Sequence, residues 1–281
     1  MRAVQEEGFD VDIGDYLRPL RDYPHFSHCT DEGSRLFTYS EPDDPQLVEL
    51  RNSYSLCEVA GEGDTWDRAM RLSSWTFDQL FCVGPNISPE PPNSLNILAH
   101  RQQGSLYCYY KAIVLNEALL SIGIPSRLLW CYPHRFELDC HVVVILYVAE
   151  LAGWVLLDPT FNTYFHDDDG TPLSVLEIRS RYRDGRLPLF RHILIDKRWP
   201  LVMNGVLCET YDQWYQLYMA KNCFRFSSPA DNRFGCSSDA SVARVFLNPS
   251  GFHATDQYDM NTKNPEMNVY TSNAGSFFAR P

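Results

Sequence analysis

The stretch from Leu106 to Leu157 constrains the fold of this chain more than any other part of its sequence. Its apolar pattern predicts a helix over Leu106–Ile122, which Gly123 and Pro125 end, because glycine readily takes a left-handed conformation and proline cannot continue a helix. The next three runs are rich in β-branched and aromatic residues, which predicts strands over Arg127–Tyr132, Cys140–Val148 and Trp154–Leu157. A helix followed by strands, the last two joined by a tight Ala152-Gly153 hairpin, indicates an α+β fold.

The rest of the chain is organised around this stretch. Helices are predicted after Asp44 and over Thr65–Leu80, each preceded by an aspartate that can cap it. Residues 1–42 contain several prolines and no strong periodicity, so an extended lead segment packed on the core is expected. Residues 43–185 are expected to form the core, and 186–281 a C-terminal extension of the same domain. Shorter elements are expected at Leu173–Arg181, Trp214–Phe226, Val242–Leu247 and Met267–Thr271.

The charge and the cysteines narrow the classes of function. A formal net charge of −12 opposes sequence-independent binding to nucleic acid and to anionic membranes, which both require a cationic surface. The longest apolar run is too short to span a bilayer, and acidic residues stand where a secretory signal has its apolar segment. With nine cysteines, an odd number, and no CxxC pair, reduced thiols in a cytoplasmic protein are expected.

Three residues in this stretch have the chemistry of a nucleophilic site. Cys108 stands near the start of the predicted helix, where the helix dipole favours a thiolate and free N–H groups can stabilise an oxyanion. His141 opens the Val/Ile-rich strand and can remove the thiol proton near neutral pH. Asp158 ends the next strand and can orient the imidazole. If these two strands form a hairpin, His141 and Asp158 lie near the same end of the sheet.

The sequence around these residues resembles that of the transglutaminase-like superfamily. The matching pieces are Cys108 followed by Ala112 and Leu115, the sequence GIPSR at 123–127, His141 at the start of a strand, and GWVLLDPT at 153–160. The resemblance is close over Gly104–Thr160 and looser over 43–185. One departure is that Leu106 stands two residues before Cys108, where the family usually has glycine.

The resemblance implies a papain-like α+β fold, with the cysteine at a helix N-terminus that packs on an antiparallel sheet. It implies Cys108, His141 and Asp158 as a catalytic triad, a thioester acyl-enzyme, and transfer of the acyl group to an amine or to water. Peptide, protein or carrier-bound acyl groups are the implied substrates, and no cofactor or metal is implied. For a second oxyanion donor, Gln102, Trp66 and Trp75 all remain open.

Other interpretations of the same residues remain. The chain can be a peptidase or amidase that uses water only, or a catalytically silent binding module with the same fold. Cys131, His134, Cys140 and His141 form a loose zinc-like group, although their spacing matches no common zinc module. The acidic run Asp167–Asp169 resembles part of a calcium loop but is better explained as a turn. Cys140 is expected to point away from His141, because neighbours on a strand alternate between faces.

Overall fold

The computed structural model describes residues 13–28, 36–135, 139–195, 200–203, 206–253 and 265–281. Its helices are α1 Ile13–Asp22, α2 Pro45–Ser53, α3 Leu56–Ala60, α4 Thr65–Leu80, α5 Ser94–His100, α6 Cys108–Ser121, α7 Val175–Arg183, α8 Tyr211–Asn222 and α9 Ala274–Phe277. Its strands are β1 Thr38–Tyr39, β2 Ser126–Tyr132, β3 His141–Val148, β4 Gly153–Leu157, β5 Phe165–His166, β6 Leu189–Phe190, β7 Val202–Met203, β8 Val206–Leu207, β9 Arg225–Pro229, β10 Asp231–Asn232, β11 Arg244–Leu247 and β12 Val269–Thr271. The mixture of helices and sheet confirms the predicted α+β class.

A six-stranded sheet lies at the centre of the fold, in the order β12-β11-β9-β2-β3-β4. Its neighbouring strands are antiparallel except β11 and β12, which are parallel. β2, β3 and β4 are the three strands that the sequence predicts after the first long apolar helix. β9, β11 and β12 come from beyond residue 186, so the C-terminal part of the chain completes the same sheet.

Helices cover both faces of this sheet. Val142, Val144 and Leu146 of β3 pack in one apolar cluster with residues of α4, α5 and α6. Val143 and Ile145 point to the other face and pack in a cluster with residues of α1, α7 and α8. Every residue of β3 is buried, which explains its unbroken Val/Ile run: a strand covered on both sides has no solvent-facing positions to fill with polar residues.

Side chains cap several helices where the sequence predicts a start. Asp44 accepts hydrogen bonds from the backbone N–H groups of Gln46 and Leu47 and begins α2. Asp64 accepts from the N–H of Asp67, 2.8 Å away, and begins α4. Ser174 and Glu177 form a reciprocal capping box at the start of α7. No described helix is both long and apolar enough to cross a membrane.

The prediction of an extended lead segment over residues 1–42 is wrong at Ile13–Asp22, which form the helix α1. This helix contains Pro19 and was not visible as a periodic pattern, although Tyr16, Leu17 and Leu20 bury one of its faces. α1 packs against α7 and α8. Tertiary burial therefore stabilises a short helix that has poor local signals, as is usual for helices of this length. The first twelve residues of the predicted segment lie outside the described residues.

Candidate active site

Cys108 is the first residue of α6, as the sequence predicts within two residues. The preceding Tyr107 provides no side-chain hydrogen bond to cap the helix. The N–H groups of Tyr110 and Lys111 both donate to the carbonyl oxygen of Tyr107, at 3.1 and 3.3 Å. The N–H groups before them have no acceptor inside the helix, so the positive end of the helix dipole points at the half-buried thiol.

The segment before Cys108 is fixed by a close approach at Gly104. Its neighbour Ser105 donates its N–H to Pro85 O at 2.9 Å and accepts from Ile87 N at 3.0 Å. A Cβ atom on Gly104 would lie 2.2 Å from the Pro85 oxygen, a distance at which no side chain fits. The glycine therefore stands where two chain segments meet, while Leu106, in the family's usual glycine position, is buried in the core.

His141 and Asp158 form a buried pair at the end of the central strands. The imidazole Nε2 lies 2.7 Å from Asp158 Oδ2, and the two side chains are 1% and 0% exposed. Oδ1 of the same carboxylate accepts from the N–H of Thr160 at 2.9 Å. Because a carboxylate can only accept, Nε2 carries the proton, and the ring is held in one tautomer and one orientation.

The other imidazole nitrogen, Nδ1, is buried and has no other hydrogen-bond partner in the described part of the chain, which leaves it for the Cys108 thiol. Burial opposes the charged imidazolium. The charge and hydrogen bond of Asp158, together with a hydrogen bond and charge from Cys108, outweigh burial and raise the pKa of His141 to about 10. An imidazolium beside a thiol favours the thiolate, which is the reactive form of cysteine.

Lys111, one turn after Cys108 on α6, places a second cation near the site. Burial lowers the pKa of this lysine, but the negative charges of Asp158 and Cys108 oppose that shift. The ammonium group lies 6.0 Å from the centre of the Phe77 ring. Sequence reasoning overlooked Lys111, although residues three apart on a helix share a face and its position was therefore a usable signal.

Aromatic side chains close the site on the side of α8. The ring of Tyr218 meets the His141 ring edge-to-face, with centroids 5.0 Å apart. Phe161 approaches the same imidazole at 6.0 Å. The hydroxyl of Tyr215 donates to Asp158 Oδ2 at 3.0 Å. The sequence predicts only a short element over Trp214–Phe226 that contains these tyrosines, since nothing local ties a helix near residue 215 to a strand end at residue 158.

Cys140 lies just before β3, although the sequence predicts it as the first residue of that strand. It precedes β3 rather than forming part of it, so the alternation of strand side chains does not apply. Burial raises the pKa of its thiol to about 11, and the charge of Cys108 is the next largest cause. Beside it, Lys221 forms an ion pair with the carboxylate of Asp139 and donates to the Asp139 carbonyl oxygen at 2.6 Å.

The other candidates lie in the following surroundings. Among the described residues, no group of three or more His, Cys, Asp and Glu side chains can hold a metal ion. Asp167 accepts from the N–H groups of Asp169 and Thr171, which makes the acidic run a turn. Trp66 packs on Tyr164 and Trp75 on Tyr54, and the side chain of Gln102 is exposed in a turn.

Comparison with known proteins finds a family match over part of the chain. The family model of the transglutaminase-like superfamily matches residues 56–159, a segment that contains Cys108, His141 and Asp158. Residues 56–159 thus resemble a transglutaminase-like core. The match runs from α3 to the end of β4 and thus includes the cysteine helix and three strands of the central sheet.

Two solved structures resemble the chain remotely. One is described as a candidate cysteine protease from Cytophaga hutchinsonii; it is 14% identical, the alignment covers 60% of this chain and 56% of that one, and the TM-score is 0.32. The other is described as a candidate protease from Parabacteroides distasonis; it is 16% identical, with 46% and 30% coverage and a TM-score of 0.26. No curated protein matches the chain.

Proposed function

We propose that this protein is a cysteine acyltransferase or amide hydrolase of the transglutaminase-like kind, with Cys108 as nucleophile, His141 as general base and Asp158 as the residue that orients His141. The observation that carries the proposal is the buried 2.7 Å pair between His141 Nε2 and Asp158 Oδ2, which leaves Nδ1 for the thiol at the start of α6. A buried, correctly oriented imidazole beside a half-buried thiol is the arrangement that nucleophilic catalysis by cysteine requires.

The reaction follows from these positions. The Cys108 thiol gives its proton to His141, and the sulfur attacks the carbonyl carbon of an amide or thioester. The oxygen that becomes negative is stabilised by N–H groups at the start of α6. The imidazolium returns the proton to the leaving amine or thiol, and a thioester between Cys108 and the acyl group remains. An amine or water then attacks the thioester, with His141 taking its proton, and the thiol is restored.

The surroundings of Cys108 support a peptide, protein or carrier-bound acyl substrate. Tyr107, directly before the nucleophile, has 52% of its surface exposed and offers an aromatic face to an approaching chain. Directly after the nucleophile, Tyr109 packs on Trp130, and the Arg244 guanidinium lies 3.7 Å from the centre of the Trp130 ring. The core segment 43–185 supplies the three reacting side chains in this proposal. The eight described cysteines, Cys108 among them, are all free, and a nucleophilic cysteine must be free to react.

Product analysis tests the choice of acceptor. A panel of peptide amides and thioesters is incubated with the protein, with and without a primary amine, and the products are identified by mass spectrometry. We expect Cys108-dependent loss of the leaving group in both cases, and a new amide when the amine is present. Acid products alone in the presence of excess amine would assign the protein as a hydrolase. No Cys108-dependent product on any substrate would favour the silent binding module.

A further inference from the structure

Tyr215 contacts the candidate site from outside the segment that matches the family model. It lies on α8, is completely buried, and donates its hydroxyl proton to Asp158 Oδ2 across 3.0 Å. The same oxygen atom accepts the Nε2 proton of His141 at 2.7 Å. The tyrosine hydroxyl and the imidazole therefore share one carboxylate oxygen, and the third donor, Thr160 N, holds the other oxygen.

The packing around Tyr215 fixes the position of its hydroxyl. Its ring is stacked on Phe165 with centroids 5.6 Å apart, and it meets Phe161 and Phe190 edge-to-face at 5.3 and 5.2 Å. Burial, and secondarily the charge of Asp158, raise the pKa of Tyr215 well above its usual range. The hydroxyl thus keeps its proton and remains a donor at every pH at which the protein would act.

We propose that Tyr215 is a positioning residue that holds the Asp158 carboxylate in the plane required to orient His141. This inference rests on the proposed function of Cys108, His141 and Asp158. A carboxylate on a single bond can rotate, and two donors on Oδ2 with a third on Oδ1 leave it one orientation. Since Tyr215 lies beyond residue 186, the C-terminal extension is then part of the active site and not only of the sheet.

The test compares two buried tyrosines that each donate one hydrogen bond. Tyr215→Phe removes the bond to Asp158. Tyr182→Phe is the matched control, because Tyr182 is also fully buried and its hydroxyl donates to Gln216 Oε1 at 2.7 Å, away from the triad. The rate of Cys108 alkylation by iodoacetamide is measured in both variants by peptide mapping. We expect about a tenfold lower rate in Tyr215→Phe and less than a twofold change in Tyr182→Phe, at similar thermal stability.

Two further readouts separate positioning from a general structural effect. The ¹H NMR resonance of the His141 Nε2 proton is expected to move in Tyr215→Phe and to stay in place in Tyr182→Phe. When Tyr215→Phe is added to Asp158→Asn, the alkylation rate should differ less than twofold from that of Asp158→Asn alone. Tyr215 acts through the Asp158 carboxylate, which this background lacks. If Tyr215→Phe does not fold, 3-fluorotyrosine is placed at position 215 in one variant and at position 182 in another. Only the replacement at 215 is expected to change the rate of Cys108 alkylation.

The outcomes distinguish the two proposals. A wild-type Cys108 that is not selectively alkylated would overturn the proposed function, and with it the role of Tyr215. Selective alkylation that slows in Asp158→Asn but not in Tyr215→Phe would leave the proposed function standing and overturn the positioning role. Equal losses in Tyr215→Phe and Tyr182→Phe would also overturn it, because a hydrogen bond to Gln216 that does not contact Asp158 would then have the same effect.

Discussion

A Cys108→Ala variant is expected to fold like the wild-type protein and to lose at least about 10⁴-fold of its turnover on any amide or thioester substrate. The thiol sulfur forms the covalent bond of the acyl-enzyme, and alanine cannot replace it. Steady-state product formation measures the loss, and thermal unfolding shows that the fold is retained, since Cys108 is only half-buried.

Cys140→Ala is the matched control for that variant. Cys140 is another half-buried thiol, and its pKa responds to the charge of Cys108, which places it in the same neighbourhood. It has no hydrogen bond to His141 in the proposed reaction, so its removal should change turnover by less than threefold. Undiminished turnover in Cys108→Ala, or a loss confined to Cys140→Ala, would assign the nucleophile to another residue.

The stability of the protein is expected to fall by roughly 3 kcal/mol between about pH 4.5 and pH 7 because of Glu117. This carboxyl group on α6 is buried, and it accepts hydrogen bonds from Ser94 N at 2.7 Å and Gly235 N at 2.9 Å. Burial raises its pKa to about 7, despite the opposing effect of these bonds. Over this range the folded protein keeps a proton that the unfolded chain has lost, so the free energy of unfolding decreases as pH rises.

Urea unfolding of Glu117→Gln and the wild-type protein, measured at several pH values, tests this expectation. The unfolding free energy of Glu117→Gln minus that of the wild-type protein should increase as pH rises from 4.5 to 7. Above that range this difference should be constant. Glu49→Gln is the control, because Glu49 is exposed on the neighbouring helix α2. A difference that does not change with pH would mean that the pKa of Glu117 is the same in the folded and the unfolded protein.

The segment from Leu106 to Leu157 could be predicted because its signals are local. A broad apolar pattern marks α6, a glycine with φ of 79° stands after its last turn at Gly123, and β-branched runs mark β2 and β3. Similarly, the aspartates before α2 and α4 do cap those helices. In each case a few neighbouring residues determine both the element and its boundary, so a single sequence contains the information.

The elements that the sequence did not reveal depend on distant contacts. α1 is stabilised by packing against α7 and α8, which lie more than 150 residues further along the chain. β11 and β12 match the elements predicted at Val242–Leu247 and Met267–Thr271, but their parallel pairing has no local signal in the sequence. Short helices and strands of this kind gain their stability from burial, and burial is decided only when the whole chain has folded.

The candidate site likewise contains residues with local sequence signals and residues that depend on distant contacts. His141 and Asp158 were predicted to be neighbours because a hairpin between their strands brings the two strand ends together, and the structure places them 2.7 Å apart. Tyr215 was not predicted, since it reaches Asp158 from 57 residues away in sequence. The predicted strand Cys140–Val148 begins one residue later in the structure, at His141, so strand alternation does not apply to Cys140.

Brief treatment with substoichiometric iodoacetamide near pH 6, followed by intact-mass analysis and peptide mapping, tests the central claim most directly. At that pH the raised pKa of His141 keeps the imidazole charged beside Cys108, and a neighbouring imidazolium is the usual activator of a nucleophilic cysteine. Cys57 is exposed and serves as an internal reference for simple access. We predict a single label, on Cys108. Label spread over Cys57 and other cysteines, or none on Cys108, would show that the thiol is not activated and would contradict the proposed triad.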